Sequence, residues 1–341
     1  MTAAPSGFVS QTAPRLVNRC AALFVHRGLH AVGAVIGGNI KLGVAFLAIA
    51  QASGYGVIPK EEVRPVGIRA LSASLNAPYE TTRRHVGALI RAGLCERRDS
   101  GAAAIASTAF ATDAVAVMRN GIWAHYKEML SELDAVGVEF PRARTITGGE
   151  AAHNARHSVQ AGIASSLLLR LLEVHLPVFG GDIAAIAVWI ALNCESVGLI
   201  TQNKVLSWKY AALDAPVPDE LRRSASVLAV SRMVDMPFET VRRHLARLVE
   251  TGFCMRISHT GLIVPENYAR SNRATKTAQI TAIRVFQSLE ELARTGDSII
   301  QLLHERDPFV SNACVNRSDG ATFVPDDPAP LHAGGRADMR P

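Results

Sequence analysis

Two short stretches of this chain carry residues suited to chemistry on an anion. Residues 81–85 read Thr-Thr-Arg-Arg-His, and residues 240–244 read Thr-Val-Arg-Arg-His. Thr81, Arg83, Arg84 and His85 therefore recur as Thr240, Arg242, Arg243 and His244. An Arg guanidinium is a planar fork of donors that fits a phosphate, or the O6 and N7 of guanine; a Thr reaches a phosphate or a thymine methyl. Arg97, Arg98 and Arg256 follow a little downstream, and the second copy adds Arg247 where the first has Ala88. The two His have two open readings, a phosphate contact or packing beside the following hairpin.

The stretches belong to a longer repeat. PYETTRRHVGALIRAGLCER (78–97) and PFETVRRHLARLVETGFCMR (237–256) share ten of twenty positions at an offset of 159. Upstream, GGNIKLGVAFLAIAQAS (37–53) matches GGDIAAIAVWIALNCES (180–196) at an offset of 143, so the second copy carries an insertion between about 197 and 225. Downstream, Leu130, Glu132, Leu133 and Gly137 match Leu289, Glu291, Leu292 and Gly296. Such internal periodicity sets the structural unit. An apolar segment precedes each unit, at 16–36 and 161–179.

The elements that position the Arg residues follow from spacing. Asn39 and Asp182 are good N-caps, so an apolar helix starts after each. A short helix follows over 67–76, with Ile68, Leu71 and Leu75 on one side; Val227, Val230 and Val234 take these places in the second copy. A turn ends at Pro78 or Pro237, residues tolerated at a helix start. The next helix buries Thr82, Val86, Leu89 and Ile90, or Val241, Leu245, Leu248 and Val249, as one stripe. Gly93 and Gly252 end it. A two-stranded hairpin turns near Ser100-Gly101 or Thr260-Gly261, and long helices are expected over 110–136 and 267–295. The first of these carries Val115, Met118, Ile122, Trp123, Tyr126, Met129, Leu130 and Leu133, more apolar surface than a solvated helix needs. Intrachain core is the simple use, and a homodimer through these apolar helices is the other.

With the stripe subtracted, the Thr and Arg side chains project from the first two turns of a helix able to enter a DNA major groove, with Arg97, Arg98 and Arg256 on the hairpin near the DNA backbone or minor groove. At this point the segment resembles winged helix-turn-helix regulators. ETTRRHVGALIRAGL (80–94) is similar to the recognition-helix pattern of ArsR-type repressors, and the Thr-Val-Arg-Arg of the second copy resembles GntR-type and IclR-type regulators. The resemblance covers 65–106 and 224–265. It does not extend to these families' effector-binding domains or to the metal-binding cysteines of ArsR sensors. It implies a double-stranded DNA partner.

Composition bounds the rest. The 341 residues suit about two domains, and low aromatic content favours helices. The net charge is +6, and only six of the 36 basic residues are Lys; the bias suits nucleic acid and also follows from GC-rich coding. The five Cys show no CxxC spacing; Cys95 and Cys254 are expected as small buried hydrophobes, with redox sensing as the alternative. Glu150, His153 and His157 lack a further strong ligand, so no metal is expected. No phosphate loop and no nucleophilic or paired-carboxylate constellation stands out, so neither a cofactor nor enzyme activity is expected. The N-terminus lacks the pattern of a signal peptide. The apolar run at 183–192 is expected to stop before Asn193 and Glu195, too short to span a membrane. A cytoplasmic, nucleoid-associated protein is the expectation.

The expected fold is mainly α: two tandem winged helix-turn-helix domains with small β-wings, pseudo-symmetric, each with flanking apolar helices. The boundaries are a disordered N-terminus (1–15), the first repeat (16–137), a linker (138–158), the second repeat (159–305) and a disordered tail (306–341). The expected function is sequence-specific transcriptional regulation at an imperfect repeat, with half-sites one helical turn, ~34 Å, apart. A plasmid-type replication initiator and a non-DNA winged-helix scaffold are the alternatives. An unknown small-molecule effector is expected near Trp189 and the 197–225 insertion.

Overall fold

The computed structural model describes residues 13–54, 64–98, 101–106, 109, 113–143 and 150–304, with backbone alone at 113–116 and 150–155. Residues 1–12, the tail from 306 and the side chain of Val115 lie outside the described residues. The first half forms α1 (Pro14–Ala34), α2 (Ile40–Ala52), α3 (Ile68–Ser74), α4 (Tyr79–Arg91), the strands β1 (Cys95–Arg97) and β2 (Ala103–Ile105), and α5 (Asp113–Ala135). The second half forms α6 (Glu150–His175), α7 (Ile183–Gln202), α8 (Lys204–Lys209), α9 (Val227–Val234), α10 (Phe238–Glu250), the strands β3 (Met255–Arg256) and β4 (Leu262–Ile263), α11 (Glu266–Arg270), α12 (Asn272–Ala293) and α13 (Ile299–His304). The fold is mainly α.

The two halves repeat in atomic detail. Asn39 accepts from the Leu42 amide at 3.2 Å, and Asp182 from the Ala184 and Ala185 amides at 3.1 and 3.4 Å, so both predicted N-caps form. Asn76 and Asp235 are the two non-glycine residues with positive φ, at 45° and 49° among the described residues. Asn and Asp tolerate this left-handed region because their short polar side chains bond locally. In both copies a Ser hydroxyl then locks the turn: Ser72 donates to Ala77 O and Ser231 to Met236 O, each at 2.6 Å. Gly93 and Gly252 sit at φ 71° and 75°, just past the helix ends they were expected to terminate. The antiparallel hairpins β1–β2 and β3–β4 each gain a third short partner, through the bridges Val66↔Ala103 and Ala225↔Leu262.

Several boundaries differ from expectation. Pro14 opens α1, so Arg15 is helical and buried rather than part of a disordered arm. The segment expected as a linker to 158 is helical from Glu150; Ala-rich sequence propagates the helix upstream of the apolar run. Helix α7 does not stop near Asn193. It runs twenty residues to Gln202, because Asn193 and Glu195 lie on its half-buried side and Glu195 pairs with Arg223 at 3.2 Å. By length and composition it is the one described helix able to cross a membrane, yet 67% of that window is buried inside the protein. The helix expected over 267–295 is broken at Ser271, which is extended (φ −60°, ψ 147°) and caps α12 by accepting from the Ala274 amide at 3.2 Å.

The halves also do not fold as two separate domains. Helix α1 packs on α5 of its own half, and on α7 and α12 of the other; α6 packs on α12 of its own half, and on α2 and α5 of the other. The packing is reciprocal. His30 of α1 donates to the Met233 carbonyl on α9, and at the equivalent positions Glu173 of α6 accepts from Ser74 on α3 at 3.4 Å. Arg27 pairs with Glu132 at 3.2 Å, and its counterpart Arg170 with Glu291 at 2.9 Å. Reciprocity of this kind marks an isologous, twofold relation. One continuous core results. It includes Leu16, Phe24, Phe46, Leu89, Tyr126, Leu168, Trp189 and Leu289, and the described residues form one compact unit. The apolar face of α5 is consumed here: Met118, Ile122, Trp123, Tyr126, Met129, Leu130 and Leu133 are at most 2% exposed.

Candidate nucleic-acid interface

Helices α4 and α10 turn the predicted stripes inward. Thr82, Val86 and Leu89 are buried in one, and Val241, Leu245 and Leu248 in the other, while Ile90 and Val249 are half-buried at the edge. A 3.6-residue period with these positions inside places the residues between them outside. Thr81, Arg83 and Arg84 are exposed on α4, and Arg242, Arg243 and Arg247 on α10; Thr240 is half-buried.

The exposed arginines are of two kinds. Arg83 Nε binds Glu80 Oε2 at 2.9 Å, and Arg242 binds Glu239 through Nε and Nη2, both at 2.8 Å. The hydrogen bond from Arg242 holds the Glu239 carboxyl below its usual range, and the same bond raises the Arg242 guanidinium. Glu80 and Glu239 lie in the first helical turn, as the helix dipole favours. Each also prepositions an Arg one turn later. Arg84 and Arg243 are exposed and form no ion pair among the described residues. On the hairpins Arg97, Arg98 and Arg256 are exposed; Arg98 pairs with Glu96 at 2.6 Å, and Arg256 donates to the His259 carbonyl at 2.9 Å.

His85 and His244 do not share the exposed Arg face. Both are half-buried at the seam between the halves, where the two Gly-Gly-Asn/Asp loops meet. Asp182 lies 3.6 Å from both Lys41 Nζ and His244 Nδ1. Burial first, then the Lys41 charge, lowers His85; burial also lowers His244, against the opposing pull of Asp182. The seam is tight. A side chain at Gly181 would meet the Asn76 carbonyl at 2.3 Å, so Gly181 is required by that backbone approach.

Other charges leave the surface altogether. Arg15 donates to the carbonyls of Leu213 and Ala269, Arg19 to those of Tyr210 and Ser207, and Arg222 to that of Val217. Burial pushes Arg19 and Arg222 down to about 10. Arg15 and Arg19 tie the 197–225 insertion, which has little core of its own, to α1, and Arg222 braces the insertion from within. The partners of Arg15 and Arg19 lie 188 or more residues along the chain, so spacing does not reveal their burial.

Cys95 and Cys254 are 3% exposed, and burial pushes both thiols up to about 12, as suits small buried hydrophobes. Among the described residues no His, Cys, Asp or Glu group could hold a metal; the side chains of Glu150 and His153 lie outside them. The space beside Trp189 is about 60 Å³, room for a few waters, because Phe179, Phe253 and Tyr268 pack around the indole. This aromatic cluster belongs to the second half alone; Ile36, Leu94 and Ala109 stand at its equivalent positions in the first. Comparison with known protein families, with curated proteins and with solved structures finds no match for this chain.

Proposed function

We propose that the chain is a sequence-specific double-stranded DNA-binding regulator of transcription, built from two winged helix-turn-helix units fused into one quasi-symmetric body. Helices α4 and α10 are the recognition helices, and the β1–β2 and β3–β4 hairpins are the wings. The observation that carries this reading is the paired exposure of Arg83-Arg84 and Arg242-Arg243 on two equivalent helices whose apolar stripes are buried. A repeat kept for packing alone needs only the stripe, the Pro and the Gly; the exposed Arg pair adds nothing to the core. Arg84 and Arg243 supply phosphate or guanine contacts directly. Arg83 and Arg242 are aimed by their Glu partners. His85 and His244 serve the seam.

The test is a fluorescence titration of the full chain against genomic fragments, including its own promoter, at several salt concentrations. Arg84→Ala with Arg243→Ala should weaken binding and reduce the salt slope by about 2, one for each phosphate no longer neutralised. Unchanged affinity and slope would remove the DNA assignment and favour a protein scaffold. Selective binding to direct repeats of a replication origin, and not to promoters, would instead favour an initiator.

A further inference from the structure

The quasi-twofold relation supplies an internal control for each cavity. Between α2 and α6 the side chain of Gln51 fills the space: its amide donates to the Gly162 carbonyl at 3.1 Å and to Ser166 Oγ, beside the Arg170–Glu291 pair. The equivalent space lies between α7 and α1. There Cys194 stands for Gln51, Arg19 for Gly162 and Leu23 for Ser166, beside the equivalent Arg27–Glu132 pair. Nothing spans this side. A cavity of about 460 Å³ results, walled also by Val136, Thr201 and Met233. That volume falls within the range of small-molecule sites.

The wall is charged yet balanced, with Arg19 and Arg27 against Glu132 and Glu195. Most of its bonding capacity is already committed. Arg27 holds Glu128 at 2.9 Å and Glu132 Oε1 at 3.2 Å, Glu195 holds Arg223, and the Nη atoms of Arg19 are taken by carbonyls. Two buried atoms of the wall residues have no hydrogen-bond partner, the acceptor Glu132 Oε2 and the donor Arg19 Nε. Orphaned buried polar groups in a native fold call for a partner. Both residues line the cavity, and both atoms are screened from solvent. A ligand of net charge would leave one of the two signs unpaired, whereas a zwitterion satisfies both.

We infer that this cavity binds a small zwitterionic metabolite of amino-acid size, its ammonium on Glu132, its carboxylate on Arg19, and its side chain against Leu23, Val136 and Met233. The site occurs on only one of the two equivalent sides because Cys194 replaces the Gln that closes its twin. It stands apart from the DNA reading, since binding is read on the protein alone.

The experiment is calorimetric titration and thermal melting of the full chain with each of the common free L-amino acids at millimolar concentration. For each hit, the decarboxylated amine and the deaminated acid are compared. At least one amino acid should bind saturably and raise the melting midpoint, with both analogues about tenfold or more weaker, as loss of a charged partner requires. Cys194→Gln imports the plug of the twin site and should abolish binding. Glu132→Gln keeps the shape, removes the charge, and should weaken binding about tenfold; it decides the matter if the Gln plug misfolds. Absence of saturable binding across the panel, or wild-type binding by folded Cys194→Gln and Glu132→Gln, overturns the proposal.

Discussion

Arginine has three fates in this chain, and each makes a different prediction. Arg84 and Arg243 are exposed and without ion-pair partners, Arg83 and Arg242 are exposed but paired with Glu, and Arg15, Arg19 and Arg222 are buried against carbonyls. In the proposed DNA complex Glu239 both aims Arg242 and offsets its charge. Glu239→Gln should therefore raise the salt slope of DNA binding by up to about one while blurring discrimination between sites; titrations of cognate and scrambled duplexes measure both. The exposed arginines were legible in the sequence because they fall between the positions of an amphipathic stripe. The buried ones were not, because Arg19 meets the Ser207 carbonyl 188 residues away. The His residues divided in the same way: their spacing put them at the helix edge, but Lys41 and Asp182, which face them, come from the two capping loops.

At the level of elements, caps and turns carried the clearest sequence signals, since each rests on interactions within a few residues. Asn39, Asp182, Pro78, Pro237, Gly93 and Gly252 act where local chemistry places them. Replacing Asp182 by Ala removes two cap bonds and the seam ion pairs, and should cost about 1 kcal/mol or somewhat more in urea denaturation. Ser72→Ala and Ser231→Ala should each cost about 1 kcal/mol by loosening the matched turns. Ser271 shows the limit of such reading. Its cap is ordinary, but the apolar periodicity running through it hid the break between α11 and α12. Helix α5 was read correctly as apolar, and its partners were not readable. Tyr126 is fully buried, lies 5.7 Å from Trp123 in a stacked pair, and shares a 3.0 Å hydrogen bond with Ser288 of the other half. Tyr126→Phe should cost about 1 kcal/mol, measured by denaturation; no loss of stability would mean that this bond adds nothing across the halves.

For the whole molecule, reciprocal exchange of α1 and α6 makes one body from two copies. Related by a twofold, the proposed recognition helices would read an inverted arrangement of half-sites. Ala88 against Arg247 makes the copies unequal, so selection from random duplexes should return an imperfect inverted repeat; a perfect palindrome or a direct repeat would count against this geometry. Burial also sets a pH dependence. His26 and His175 are pushed from the ordinary 6.5 down to about 4, chiefly by desolvation. The folded chain keeps them neutral where the unfolded chain takes up protons. Their contribution is thus intact above about 6.5 and is lost as pH falls from there toward about 4. Urea denaturation across that window should show falling stability, and His175→Gln should flatten the fall. The sequence by itself determined the repeat, its caps and turns, and the Arg pairs on one helix face, because these depend on neighbours within a turn or two of backbone. Only the tertiary structure decided which copy each apolar helix covers, which arginines remain at the surface, and that Cys194 leaves open a cavity that Gln51 closes in its twin. Those outcomes depend on the meeting of residues more than a hundred positions apart, where spacing along the chain carries no information about distance in space.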